Sequence, residues 1–329
     1  MITAYSRNGH VTRTVIEAGA PLPAGTVWVD LFNCTPDELT RFGQTHKVKL
    51  PTLRHVRLME QSHQQYVGKH GITYLTTPTI VGAQGDNPTS GTILFVLSPH
   101  LLISVRQADS RAVSNFANMV MHEPTLLASS EAAFVNLIEA FVHRLADLSE
   151  VTAHELEQVS HIVFQESLQR SRAPGKGKPD SWRKIMAGLG RTARLNHRLL
   201  ATLTGLDRLL AFVQTPDEPC VSEGSYAQLQ LMQQDLKRLI DHSGAMINEA
   251  NFLLDAIVGA ISIEQNNVVK IFSMVSVILM PPTMVASIYG MNFAHMPELS
   301  HVWGYPVALL AMLLSAIIPW WWFKRSGWF

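Results

Sequence analysis

The sequence predicts an α/β cytoplasmic domain, then long helices, then a two-helix transmembrane hairpin near the C-terminal end. Three observations carry that reading. Residues 1 to about 125 alternate short β-branched runs with turn residues, the texture turns to long helical periodicity from Ser129, and two uncharged apolar runs flank a short loop late in the chain. Between Lys270 and Lys324 the one formal charge is Glu298.

The segments follow in order. In 1–128, Thr26 to Phe32, Gly71 to Leu75 and Thr92 to Leu97 read as strands. Pro36-Asp37-Glu38-Leu39 opens a helix with Thr35 as N-cap and Glu38 three residues on. In 129–224, breaks at 173–180 and 215–219 separate two helices of roughly 40 and 33 residues, well beyond the globular average. After Pro219 nothing interrupts the pattern until Pro281-Pro282. One helix from about Ser225 to Gly290 would be roughly 100 Å long, a stalk over 225–270 continuing into a first span over 271–290. A loop over 291–304 and a second span over 305–323 precede a basic tail, 324–329.

The two spans have 20 and 19 residues without Asp, Glu, Lys, Arg or His, each enough to cross about 30 Å of hydrocarbon. Lys270 precedes the first, Lys324 and Arg325 follow the second, and the loop has no Lys or Arg. The positive-inside rule then places both termini in the cytoplasm, at the inner membrane, and the loop outside. Trp303 and Tyr305 on one side, and Trp320, Trp321, Trp322 and Trp328 on the other, read as interfacial anchors.

Composition narrows the function classes. Of the residues 47% are hydrophobic, yet the long apolar runs are confined to the last 60, so a sizeable soluble part remains. Met1 to Ala20 has no apolar core followed by a small-residue cleavage site, which reads as no cleaved signal peptide. Cys34 and Cys220 read as unpaired thiols. With 26 basic and 26 acidic residues, bulk charge offers nothing to nucleic acid. An enzyme has no support from a P-loop, a dinucleotide fingerprint or a metalloprotease helix, and no cofactor is expected.

The stalk and first span carry a stripe. Ser262, Asn266, Val269, Ser273, Ser276, Met280, Thr283 and Ser287 follow at spacings of three and four, and Gly259 and Asp255 extend it downward. Small residues on a spanning helix fit close helix packing, or they fit a wet, pore-lining face. Asn266, Asn267 and Thr283 favour water, but spacing leaves both open. The second span has no such stripe and suits a lipid-facing ring. Two spans cannot enclose a conduit, so a pore requires several copies about an axis. At the outer end of the first span, Asn292 side chains would offer amide oxygens, and Gly290 lets carbonyls approach closely. Hard oxygen donors suit Mg²⁺, which keeps its own waters, and the stripe within the membrane has no thiolate, imidazole or carboxylate for tight Zn²⁺ or Ca²⁺ binding. His295 and His301 in the loop read as solvated.

Tyr289-Gly290-Met291-Asn292-Phe293, then Met296-Pro297-Glu298-Leu299, Gly304-Tyr305-Pro306 and the tail Lys324-Arg325-Ser326-Gly327-Trp328-Phe329 together resemble the CorA family of magnesium/cobalt transporters. Ile263-Glu264-Gln265-Asn266-Asn267 and Pro281-Pro282-Thr283 look like its stalk and span, and the close match covers roughly 250–329. The resemblance implies a homopentameric, funnel-shaped channel in the bilayer, its partners being further copies of itself and divalent cations. It implies a selectivity filter of Gly290, Met291 and Asn292 and a pore lined by Asp255, Asn266, Val269, Phe272, Met280, Thr283 and Tyr289. Val269, Phe272 and Met280 would be apolar constrictions that gate by dewetting, and Lys270, Lys324 and Arg325 a basic collar. Phe272 does not follow the three-and-four spacing of the stripe.

Family members close when intracellular Mg²⁺ binds carboxylates between subunits. Mg²⁺ is then both substrate and regulatory ligand, with Glu60, Asp235, Asp241 and Asp255 as candidate regulatory residues. Two features depart from the family. Ala294 stands where an acidic residue often follows the triplet, which leaves Glu298 to attract cations at the outer mouth. Arg170, Arg172, Lys176, Lys178, Arg183 and Lys184 make the helical tip basic, a solvated surface or one that meets anionic headgroups. The expected function is passive, potential-driven Mg²⁺ transport, with Co²⁺ and Ni²⁺ also carried. The alternatives are a ZntB-like Zn²⁺ transporter and a membrane-anchored scaffold or sensor.

Overall fold

The computed structural model describes residues 1–51, 65–68, 71–85, 87–172, 180–215, 221–291, 296 and 302–327, with the side chains of 167–172 and 180 outside that set. The chain divides into two compact units, Met1–Ile162 with Arg183–Leu254, and Val163–Trp182 with Asp255–Phe329.

In the first unit a seven-stranded sheet has the order β2-β1-β3-β7-β6-β5-β4. The strands are β1 (Ile2–Asn8), β2 (His10–Ile16), β3 (Thr26–Phe32), β4 (Gln65–Val67), β5 (Thr73–Val81), β6 (Thr89–Leu97) and β7 (Leu102–Arg106). Only β3 and β7 run parallel, with Asp30 opposite Ser104 and Phe32 opposite Arg106. Strands alternate their side chains between two faces, and each face is covered here. On one, Val29, Leu31, Leu94, Val96, Ile103 and Val105 pack with Leu39 and Phe42 of α1 (Pro36–His46). On the other, Trp28 meets Phe116 of α2 (Arg111–His122), and Phe95 meets Phe134 and Phe141 of α3 (Ser130–Arg172) edge-on.

Helix α1 starts as its sequence dictates. The Thr35 hydroxyl accepts from Glu38 N at 3.2 Å while Glu38 Oε2 accepts from Thr35 N at 2.7 Å, a reciprocal capping box. Strand β5 runs through Pro78, beyond the expected end at Leu75. Among the described residues its outer neighbour β4 pairs with Thr73 to Leu75, so Pro78 lies past that pairing, on a stretch of β5 where a missing N–H is tolerated.

Three further helices are long. Helix α3 has 43 residues, α4 (Asp180–Val213) 34 and α5 (Glu223–Tyr289) 67. Within the first unit α4 and α5 are clamped by buried polar groups. Asn196 Nδ2 donates to Ser243 O at 2.8 Å, and the Ser243 hydroxyl donates to Asn196 Oδ1 at 2.7 Å. The start of α5 is held from α3, where Glu131 Oε1 accepts from Ser222 N, Ser222 Oγ and Ser225 Oγ at 2.8, 2.7 and 2.6 Å. Burial pushes the Glu131 carboxyl up, and the bonds from Ser225 and Ser222 outweigh it, holding the pKa below its ordinary value.

The second unit contains the two helices long and apolar enough to cross a membrane. These are the C-terminal part of α5 and all of α6 (Gly304–Arg325), with mean hydropathy 1.9 and 1.8 over their most apolar stretches. Both stretches are almost wholly exposed, unlike the core helix of a soluble protein.

Candidate functional site

At 3.6 residues per turn, successive residues of α5 are rotated by roughly 100°. On that scale Asp255, Ser262, Asn266, Val269, Ser273, Ser276, Met280, Thr283 and Ser287 fall on one face, and every one of them is exposed. The residues of α5 that the chain does bury from Leu253 onward, Leu253, Ile257 and Met274, lie roughly 130° to 170° from the centre of that face. The stripe thus lies away from the few residues its own chain buries, on a stretch of α5 that is exposed on nearly every side. Phe272, 71% exposed, stands roughly 70° from the stripe's centre but only roughly 20° from Thr283, so it flanks the stripe. Tyr289 is half-buried and falls on the far side of the helix.

Backbone chemistry gives this face acceptors. Ser276 Oγ donates to Phe272 O at 2.9 Å and Thr283 Oγ1 to Leu279 O at 2.8 Å. Each hydroxyl proton is spent on its own helix, which leaves the oxygen lone pairs turned outward as acceptors. Pro281 and Pro282 lack N–H groups, so the carbonyls of Val277 and Ile278 have no donor four residues on. In hydrocarbon such carbonyls need water or a neighbouring group.

Helix α5 ends at the triplet. Gly290 N donates to Ala286 O at 2.9 Å and Met291 N to Ile288 O at 3.3 Å, a last turn tightening toward 3₁₀ geometry. A Cβ on Gly290 would come within 3.1 Å of Ala286 O, so the close approach is best met by glycine. The remaining carbonyls and the negative end of the helix dipole face this point and favour a cation. Met291 is exposed, while Asn292 and Glu298 lie outside the described residues.

Lys270 is half-buried near the start of the span. Lys324 Nζ lies 5.1 Å from the centroid of Trp320, and the Arg325 guanidinium 5.4 Å from that of Trp321. Each cation is thereby held beside an aromatic one turn back, as expected where a span meets headgroups.

Of the candidate regulatory carboxylates, Glu60 lies outside the described residues, as does Cys220. Asp235 is exposed and paired with Arg238 at 3.3 Å. Asp241 and Asp255 are exposed and roughly 20 Å apart along α5. Among the described residues no three His, Cys, Asp or Glu side chains of one chain gather as a metal site. At the basic tip, Arg183 and Lys184 are exposed, and the side chains of Arg170, Arg172, Lys176 and Lys178 are outside the described set.

One contact had no signal in the sequence. Trp182 Nε1 donates to Glu264 Oε2 at 3.3 Å, tying the first turn of α4 to α5 just before the span. The two residues are 82 positions apart, and no local periodicity pairs them.

The fold and site define a membrane protein with an α/β soluble domain, long helices and two C-terminal spans. The family model of the CorA-like Mg²⁺ transporter protein matches residues 23–325, and the chain belongs to that family. The magnesium transport protein CorA of Escherichia coli K12 is 28% identical over 329 residues, covering all of both chains. Among solved structures, the complete CorA magnesium transporter of Methanocaldococcus jannaschii superposes with TM-score 0.78 at 16% identity, over 100% of this chain and 99% of that one. The ZntB cytoplasmic domain of Vibrio parahaemolyticus gives TM-score 0.54 at 13% identity, over 78% of this chain and 96% of its own.

Proposed function

We propose that this chain assembles as a homopentamer in the inner membrane and passes Mg²⁺ inward as a passive channel. The observation that carries the proposal is the stripe on α5, acceptor-rich, exposed, and turned away from Leu253, Ile257 and Met274, the residues buried along that part of the helix. Bringing five such faces together about an axis encloses the stripe and supplies water to the hydroxyls and to the carbonyls freed by Pro281 and Pro282. A hydrated Mg²⁺ presents water hydrogens outward, and acceptor oxygens are what those hydrogens need. Gly290, Met291 and Asn292 form the filter, with Tyr289 beside it and Glu298 drawing cations to the mouth. Asp255 and Asn266 line the inner path. Val269, Phe272 and Met280 are the apolar rings that gate by dewetting, and Thr283 offers its hydroxyl between Met280 and the filter.

With both termini cytoplasmic, Lys270, Lys324 and Arg325 form the collar at the inner surface. Two charges moving inward across 100 mV release about 4.6 kcal/mol, so uptake needs no ATP site. Co²⁺ and Ni²⁺ of similar hydration would follow the same path. Closure comes from intracellular Mg²⁺ bound between subunits, with Asp235, Asp241, Asp255 and Glu60 as the carboxylates to test. The match to CorA over the whole chain supports this reading above a ZntB-like Zn²⁺ transporter.

The test is ion influx into proteoliposomes with an imposed inside-negative potential, Mg²⁺ against Zn²⁺, for the wild type and Asn292→Ala. Mg²⁺ entry lost in the variant with the oligomer intact is the expected result. Zn²⁺ entry alone would assign the chain to zinc, and no flux of either ion would leave the hairpin as an anchor.

A further inference from the structure

Apart from the transmembrane part, the first unit holds a cavity of about 280 Å³ between the β5–β6 turn, the first turn of α2 and the middle of α3. Its lining includes Gln84, Ser110, Arg111 and Arg144. Helix α2 begins at this wall without a side-chain cap and without an acidic residue in its first turn, so its first N–H groups are unclaimed. Ser110, the N-cap residue, is 2% exposed. Its hydroxyl makes none of the hydrogen bonds found among the described residues and borders the cavity. The side chain is otherwise enclosed, and the little exposure its hydroxyl keeps leaves it open to a partner in the cavity it lines.

Two guanidiniums share that space. Arg111 Nη2 donates to Gln84 Oε1 at 2.6 Å and pairs with no carboxylate among the described residues. Among the described residues the Arg144 side chain, 20% exposed, has one carboxylate within reach, the exposed Asp147 at 3.8 Å. Burial first, and then the charge of Arg111, lowers the pKa of Arg144, against the opposing pull of Asp147. One carboxylate also borders the cavity, Asp109, whose Oδ1 already accepts from Arg106 Nη1 and Ser114 Oγ, both at 3.3 Å. The cavity stands at the small end of the roughly 300–1,000 Å³ of ordinary small-molecule sites, with room for a phosphate group.

We propose that this cavity is a cytoplasmic phosphate site, in which Arg111, Arg144, the Ser110 hydroxyl and the first N–H groups of α2 hold a phosphate group. Two planar guanidiniums and a helix N-terminus match tetrahedral oxyanion geometry. The group is either free inorganic phosphate or the terminal phosphate of a nucleotide, both of which accompany Mg²⁺ in the cytoplasm. The site is independent of the ion path, so its test does not depend on transport.

The experiment is equilibrium dialysis of the detergent-solubilised full chain with labelled inorganic phosphate and, separately, with labelled ADP. Saturable binding of phosphate, weakened about tenfold or more in both Arg111→Gln and Arg144→Gln and largely restored in Arg111→Lys, is the expected result, that being the loss of one charged hydrogen bond. Equal binding of both probes identifies free phosphate as the ligand; tighter ADP binding with the same sensitivity to the variants identifies a nucleotide. No saturable binding of either probe at concentrations on the order of 10 mM, where a millimolar site fills, overturns the proposal. So does binding that Arg111→Gln leaves unchanged. Arg111 is exposed, so this variant keeps the test open if Arg144→Gln fails to fold.

Discussion

Replacing Asp30 with alanine should weaken the soluble domain more than any surface change. Asp30 is 4% exposed in the middle of the parallel β3–β7 pair. Its Oδ1 accepts from Ser104 Oγ at 2.7 Å and Arg106 Nε at 3.2 Å, and its Oδ2 from Arg106 Nε and Nη2 at 3.1 and 2.9 Å. Trp28 Nε1 extends the network by donating to Ser104 Oγ at 3.0 Å. Without Asp30, the guanidinium of Arg106, 7% exposed, keeps only Ala108 O and Asp109 Oδ1, each at 3.3 Å, and the Phe32 ring at 4.4 Å. Breaking a buried pair from one side costs roughly 3–5 kcal/mol, and those residual contacts place this one at the lower end, about 3 kcal/mol. For a unit of this size that lowers Tm by roughly 6–12 °C. Tryptophan fluorescence of the full chain in detergent reads it, since Trp28 sits in the network. Asp30→Leu with Arg106→Met should recover most of the loss, because no buried charge is then stranded. A shift below about 2 °C, or a double variant no better than the single one, would refute the assignment of that energy to desolvated charge.

Two more expectations concern packing and pH. Gly205 of α4 lies against the Pro78 ring of β5, and a Cβ there would overlap it. Gly205→Ala should therefore destabilise by roughly 1–3 kcal/mol, read as a lower Tm, whereas Gly188→Ala, where a Cβ meets nothing within 4 Å, should raise Tm slightly. Glu131 has a folded-state pKa below its unfolded one, so its ionised form contributes stability that is present above the unfolded value and lost as pH falls through the folded one. Glu131→Gln should lower Tm at pH 7 by the equivalent of about 1 kcal/mol, and the gap to the wild type should narrow as pH falls through the lowered folded-state pKa. A gap that stays constant from pH 7 to pH 3 would show that charge plays no part in the cap.

Legibility differed along the chain for physical reasons. The capping box at Thr35 and Glu38, the strand Thr26–Phe32 and the long helices could be read because each is a local pattern whose period or cap is visible within a few turns. Strands β1 and β2 could not. Ile2 to Ser6 are all buried although Thr3 and Ser6 are polar, and along β2 only Val11 is buried. Their strand character comes from pairing on the sheet, and no alternation in the sequence shows it. The candidate pore was legible in part. The Gly290-Met291-Asn292 triplet, the charge-free spans and the stripe are statements about composition and spacing, which lipid and helical geometry impose on any chain.

What the sequence by itself determined was the class of protein, because lipid admits few solutions and the triplet with its two spans is specific. Only the tertiary structure decided that the few residues its own chain buries on α5 from Leu253 onward lie away from the stripe. It also placed Phe272 at the stripe's edge, built the Asp30–Arg106 network, and put Arg111, Arg144 and Ser110 around one cavity. Each of these joins residues tens of positions apart or depends on what packs behind a helix. A linear pattern carries the period of an element, but the choice of neighbour is made by burial.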